Sequence, residues 1–298
     1  MKDLVKKIDI HVHTSPSKWL AYAGNAFATP EELIEMYDKL GIEMGVLLPV
    51  SNSGMVTSSN YENYLIAQKY PDRFVWFCSF DPMQGDNSPN TNFTPFLEEC
   101  KKYGAKGIGE ITSNLPILDP RTFNLFSHVE KAGLPLTFHI GDLGGDYGLV
   151  DDIGLPGLEK ALQTFPNLKF LGHSQQFWAE ISTVENEEQR HGQPKGKVTE
   201  GRVVELMRKY PNLLGDLSAG SGFNAITRDK EFGYKFLEEF SDRLYFGTDI
   251  CATSNIQYEF LTFAKYLDDA YINGKISYDT YYKISRGNAI KLLGLDKE

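Results

Sequence analysis

Eight short runs rich in β-branched and aromatic residues recur along the chain, each followed by a segment with helical spacing. They are KIDIHVH (7–13), MGVLLPV (44–50), FVWFCSF (74–80), AKGIGEI (105–111), PLTFHIG (135–141), LKFLGHS (168–174), LLGDLSA (213–219) and LYFGTDI (244–250). Most are almost continuously apolar, as parallel strands covered on both faces must be. Helix punctuation stands between them: Thr29 as an N-cap before Pro30, with Gly41 as the stop, then Thr94-Pro95 closed by Gly104. Gly133 and the pairs Tyr70-Pro71, Phe165-Pro166 and Tyr210-Pro211 end others. At 298 residues the chain holds eight βα units of about 37 residues each. The expected fold is therefore α/β, a closed (β/α)8 TIM barrel in one domain spanning 1–298. An open doubly wound sheet is disfavoured, because no Gly-rich dinucleotide turn follows the first strand.

Four connections are long: 14–28, 81–93, 142–153 and 175–198. All follow the C-terminal ends of strands, the barrel face where active sites are built. The longest, 175–198, reads as a lid or a subunit contact. The 41% apolar content excludes a disordered chain. With 30 basic against 40 acidic residues and no basic cluster, no nucleic-acid partner is expected. No apolar run reaches the roughly 20 residues of a membrane span, and the start MKDLVKKIDI has no signal-peptide core. Cys78, Cys100 and Cys251 are widely spaced and read as reduced thiols in small buried positions, which fits a cytoplasmic protein.

Six histidines occur, and four sit in or at the ends of strands. His11 and His13 are two apart on the first strand, so their imidazoles share a face and reach one point. His139 ends the fifth strand, His173 the sixth, Asp249 the eighth and Glu110 the fourth. Barrel closure brings all six around one axis. Buried carboxylates among imidazoles are unfavourable unless paired or bound to a cation. The mixed nitrogen and oxygen donors suit catalytic Zn²⁺, with Mn²⁺ or Fe²⁺ as alternatives.

Taken in order, IDIHVH, GIGE, TFHIG, LGHS, FGTD and the closing RGNAIKLLGL (286–295) resemble the amidohydrolase superfamily over nearly the whole chain. The sequence is most similar to the branch with aminocarboxymuconate semialdehyde decarboxylase, resorcylate-type decarboxylases and small lactone hydrolases. The resemblance implies that His11, His13, His139 and Asp249 bind a divalent metal. It implies that Asp249 takes a proton from the attacking water. His173 would bind a second metal, or serve as an acid–base and orienting group. A carboxylated lysine, common on the fourth strand of two-metal members, is replaced at that tip by Glu110; Lys106 lies too near the strand's start. Glu110 either bridges two metals or orients a histidine, so one or two ions are expected. The implied activity is metal-dependent hydrolysis of a C–N, ester or lactone bond in a small molecule. The alternatives are a non-oxidative decarboxylase on the same ligands, a TatD-like nuclease and an inactive binding barrel.

Weaker candidates complete the set. Phe177 and Trp178 would wall the pocket or pack under the loop, Ser218 would touch substrate, and Arg228 would pair with a substrate carboxylate or with Asp229 or Glu231. Asp9 shares the parity of His11 and His13, Asp216 is expected in core hydrogen bonds, and Asp81 is expected to form a turn. His128 reads as a helix residue and His191 as solvated. A helix over 257–273 carries Tyr258, Phe260, Phe263, Tyr266 and Tyr271, a stripe that serves as core or as a homodimer surface.

Overall fold

The computed structural model describes residues 3–18, 21, 22, 24–52, 55–142, 145 and 147–296. Met1 and Lys2 of the expected start, and Trp19, Leu20, Ala23, Leu143, Gly144 and Asp146 of two long connections, lie outside the described residues. Eight parallel strands make the barrel wall: β1 (Lys7–Val12), β2 (Ile42–Leu47), β3 (Phe74–Trp76), β4 (Ile108–Ile111), β5 (Leu136–Gly141), β6 (Phe170–His173), β7 (Leu213–Asp216) and β8 (Leu244–Tyr245). β1 to β3 pair in order, and so do β4 to β8. Two seams join the runs. Cys78 bridges Ile108, with Cys78 N–H donating to Gly107 O at 3.0 Å; Val12 bridges Ile250, with Ile10 N–H donating to Phe246 O at 2.9 Å. The ring is closed.

Each strand is followed by a helix: α1 (Pro30–Leu40), α2 (Asn60–Lys69), α3 (Thr94–Lys102), α4 (Pro120–Ala132), α5 (Pro156–Thr164), α6 (Arg202–Lys209), α7 (Lys230–Glu239) and α8 (Phe263–Ile272). Thr29 and Glu32 make a reciprocal capping box on α1, which Gly41 ends at φ 72°, in the left-handed region open to glycine. Two expectations shift. Thr94 does not cap α3, because its Oγ1 is engaged with His128 Nδ1 at 2.8 Å; Phe93 takes the cap position without a side-chain bond. The helix expected from 257 starts only at Phe263. Asn255 Oδ1 accepts from the backbone of Cys251 and Ala252, which holds the preceding residues in two 3₁₀ turns. Of the aromatic stripe, Phe263 is core and Tyr258 is exposed.

Side-chain alternation sorts the apolar residues into two layers. Ile8, Ile10, Val46, Leu48, Phe77, Leu171, Leu214 and Tyr245 fill the barrel interior, where Ala289 and Leu293 of the closing helix join them. Their neighbours Val12, Leu47, Phe138, Phe170 and Leu213 face the surrounding helices. Asn288 fastens the closing helix by donating to Ser241 O at 2.7 Å and Leu244 O at 2.8 Å.

β1 breaks the simple period. Asp9 stands opposite Gly45 and Val12 opposite Leu47, so three steps on β1 face two on β2, a β-bulge. Consequently Asp9 does not share the face of His11 and His13. It points to the helix layer, where Tyr37 donates to it at 2.7 Å and Thr248 donates from both N and Oγ1. The bulge then turns both histidines inward.

The long connection 175–198 is packed onto the barrel. Phe177 and Trp178, proposed as pocket wall, are 0% and 1% exposed. Phe177 lies against Gly172, where a Cβ would come within 2.3 Å of its ring, and Trp178 Nε1 donates to Asp216 O at 2.8 Å. Burial of each such ring is worth about 1.5–3 kcal/mol, and neither has surface left for a substrate. Further along, buried Arg190 pairs with Glu180 at 2.9 Å and donates to Asp151 O at 2.7 Å. Among the described residues, no helix is long and apolar enough to cross a membrane.

Candidate metal centre

The tips of β1, β4, β5, β6 and β7 and the segment after β8 deliver inward polar side chains, beyond the last interior apolar layer. His11 and His13 meet with Nε2 atoms 3.0 Å apart. Their outer nitrogens decide the tautomers. His13 Nδ1–H donates to Leu48 O at 2.8 Å, and His11 Nδ1–H donates to Asp216 Oδ2 at 2.6 Å. Both partners only accept, so each Nε2 is the nitrogen left to face the other, carrying a lone pair for an ion or, on a protonated His11, a hydrogen donated to His13 Nε2. Carboxylates surround that point. Asp249 Oδ1 lies 3.3 Å from His13 Nε2 and 3.7 Å from His11 Nε2; Glu110 Oε2 lies 3.6 and 3.7 Å from the same atoms. Tetrahedral donors bound at 2.0–2.2 Å stand about 3.3–3.6 Å apart. Two facing ring nitrogens among carboxylates call for positive charge between them, supplied by a proton on His11 or by a bound cation, and this donor set fits a divalent one.

Glu110 has a second face. Its Oε1 accepts from His139 Nδ1 at 2.8 Å and lies 3.8 Å from His173 Nε2. Asp249 divides similarly, with Oδ2 3.8 Å from His173 Nε2. The expected residues therefore form adjoining groups: His11, His13 and Asp249; Glu110, His139 and His173; and, behind them, His11, His173 and Asp216. His139 is brought to Glu110 rather than to the His11–His13 pair. Asp249 sits in the left-handed region at φ 57°, which aspartate tolerates, and this bend aims its carboxylate inward.

Electrostatics follow from burial. Desolvation opposes charge on His11, yet Asp216, Glu110 and Asp249 outweigh it and hold its pKa well above the usual imidazole range. Burial, reinforced by the charge of His11, pulls His173 down to about 4, so that ring is neutral at neutral pH. Burial raises Asp249 and Glu110, but the surrounding histidines win and keep both carboxyls below the ordinary value.

Several residues differ from their expected parts. Asp216 is no mere core hydrogen-bonder: it fixes the ring of His11 and lies 3.5 Å from His173 Nδ1. Ser218 is fully buried and bonded to His173 Nδ1 at 3.0 Å, so it positions that ring. Arg228 caps the helix Ala219–Thr227 and lines a separate cavity under the long connection; it forms no ion pair among the described residues. Asp81 holds its turn by accepting from Met83 N at 2.8 Å. His191 is exposed but 2.6 Å from Asp142 Oδ1. Tyr147 was missed altogether. Its hydroxyl donates to Glu110 Oε2 at 2.5 Å, and its ring stands edge-on to His139. No pattern marks a tyrosine in a loop; only the partner 37 residues away gives it a place.

Known proteins agree with this architecture. No curated protein sequence matches the chain. Among solved structures, an uncharacterised TIM-barrel protein of Bordetella bronchiseptica is 19% identical with a TM-score of 0.68, covering 97% of this chain and 99% of its own. A putative 2-pyrone-4,6-dicarboxylic acid hydrolase from Pseudomonas putida is 17% identical with a TM-score of 0.64, covering 99% and 100%. A 5-carboxyvanillate decarboxylase from Sphingomonas paucimobilis is 16% identical with a TM-score of 0.58, covering 98% and 99%. At these identities the likeness establishes the barrel fold. The family signature described as Amidohydrolase matches residues 8–295, and the chain belongs to the amidohydrolase family.

Proposed function

We propose that the protein is a metal-dependent hydrolase that cleaves an ester, lactone or amide bond of a small molecule at the mouth of the barrel. The observation that carries this reading is the pair of inward Nε2 atoms of His11 and His13, 3.0 Å apart and ringed by Asp249 and Glu110. His11, His13, Asp249 and Glu110 would hold the ion, with His139 and His173 on the far side of Glu110. A divalent ion, Zn²⁺ by the mixed nitrogen and oxygen donors, supplies Lewis-acid polarisation of a carbonyl and a lowered water pKa.

The protein's own groups do the rest. Asp249 is ionised and accepts the proton of the attacking water, then returns it to the leaving group. His173, neutral and fixed by Ser218, faces the same space as Asp249 Oδ2 and donates to developing negative charge on oxygen. Glu110 keeps one oxygen toward each histidine group. Hydrolysis is preferred to decarboxylation because Arg228, the cation nominated for a departing carboxylate, lines a different cavity.

The test is a metal assay of protein purified without chelator, followed by a pH-stat screen of lactones and esters and an amine-release screen of amides. Acid release should require the metal, and Asp249→Asn should lower turnover about 10²- to 10⁴-fold. Release of CO₂ from aromatic acids without any hydrolysis would transfer the reading to a lyase. Metal content near zero would remove both.

A further inference from the structure

Under the long connection lies a cavity of about 360 Å³ that shares no lining residue with the histidine centre. Three cations line it, Lys195, Lys197 and Arg228, beside the amide side chains of Gln189 and Gln193, and no acidic side chain does. In a chain with 40 acidic and 30 basic residues this is a local reversal of sign. Arg228 is the central group. Its Nε is buried without a hydrogen-bond partner, and among the described residues its side chain bonds only from Nη1 to Pro194 O at 3.4 Å. Asp229 makes no ion pair with it: its carboxylate accepts from Val198 N at 3.0 Å and Phe232 N at 3.4 Å, and its charge reaches Arg228 and Lys197 only at longer range. A guanidinium offers five N–H donors in a planar fork that matches the two oxygens of a carboxylate or phosphate. Half-buried with its Nε unpaired, Arg228 keeps part of that fork available to such an acceptor. Burial also lowers its pKa below the usual guanidinium range, against the pull of Asp229.

We propose that this cavity is an anion-binding site, in which Arg228 takes the phosphate or carboxylate group of a small molecule and Lys195 and Lys197 supply further countercharge. The site is independent of the hydrolase reading, since it uses none of the same residues.

Calorimetric titration of the full chain with inorganic phosphate and, separately, with succinate tests it, ionic strength being held constant with sodium chloride. One saturable site per chain is expected; the tighter of the two anions tells a phosphoryl from a carboxylate ligand. Arg228→Met retains the alkyl stem and should weaken binding at least about thirtyfold. Replacing the exposed Lys195 and Lys197 by alanine should weaken it about two- to fivefold each, and keeps the test open if Arg228→Met fails to fold. His13→Ala, which disrupts the metal centre, should leave the titration unchanged. The proposal is overturned if neither anion gives saturable heat, if the Arg228 and lysine variants titrate like wild type, or if His13→Ala abolishes binding.

Discussion

Replacing Asp216 by asparagine is the sharpest single test of how the centre is built. Asp216 and His11 are both fully buried, and Oδ2 accepts from His11 Nδ1 at 2.6 Å while Oδ1 accepts from Ser218 N at 3.0 Å. Both oxygens are therefore in use as acceptors. Asparagine has the same shape but only one acceptor. If its oxygen faces Ser218, its NH₂ meets His11 Nδ1 and drives the ring to the tautomer with hydrogen on Nε2, which removes the inward lone pair. If its oxygen faces His11, the amide opposes Ser218 N–H, and the hydrogen bond to His11 loses its charge. Partners that orient a ligating histidine are worth 10- to 100-fold in metal affinity, about 1.4–2.7 kcal/mol. Competition against a chromophoric chelator at neutral pH measures this directly with Zn²⁺. Asp216→Ala should lose at least as much, because it leaves buried His11 Nδ1–H unpaired. Near-ultraviolet circular dichroism verifies that each variant is folded. A Zn²⁺ affinity of folded Asp216→Asn within twofold of wild type would refute the argument.

Other outcomes follow from particular contacts. Arg190→Met strands the buried Glu180, a carboxyl that burial lifts to about 6 despite Arg190, and should destabilise the fold by about 3–5 kcal/mol in chemical denaturation; a loss below 1 kcal/mol would mean the long connection is not clamped. Glu159 is held near 2 by Lys209, Tyr210 and Arg202, against an ordinary value of 4.5. Its folded pKa is depressed, so its stabilisation is present above 4.5 and lost as the pH falls toward 2; the melting temperature of Glu159→Gln should converge with wild type across that window. His191→Ala removes exposed pairs with Asp142 and Glu187 and should keep near wild-type turnover.

What could be read before folding was whatever neighbours in sequence decide. Helix starts and stops are local, so Thr29, Gly41 and Gly133 mark real ends, and the apolar runs become the barrel strands. The period of two likewise places His11 with His13 and sets His139, His173, Glu110 and Asp249 at strand tips. Where a local rule met a competitor it failed: Thr94 gave up its cap to His128, 34 residues away, and Asn255, bonded to the nearby backbone of Cys251 and Ala252, drew the chain before α8 into turns.

Pairing across the barrel was decided only by the tertiary structure, because no sequence period carries it. The bulge in β1 depends on β2 and sends Asp9 outward to Tyr37 and Thr248. Asp216 finds His11 across 205 residues, and Tyr147 finds Glu110 across 37. Phe177, Trp178 and Arg228 looked alike as loop candidates, yet packing buried the first two and left the third lining a cavity without an acid. Composition and spacing determine which groups reach the rim of a barrel. Which atom of each faces which partner is a matter of closure, since hydrogen-bond direction and tautomer are settled by groups brought together only when the ring is complete.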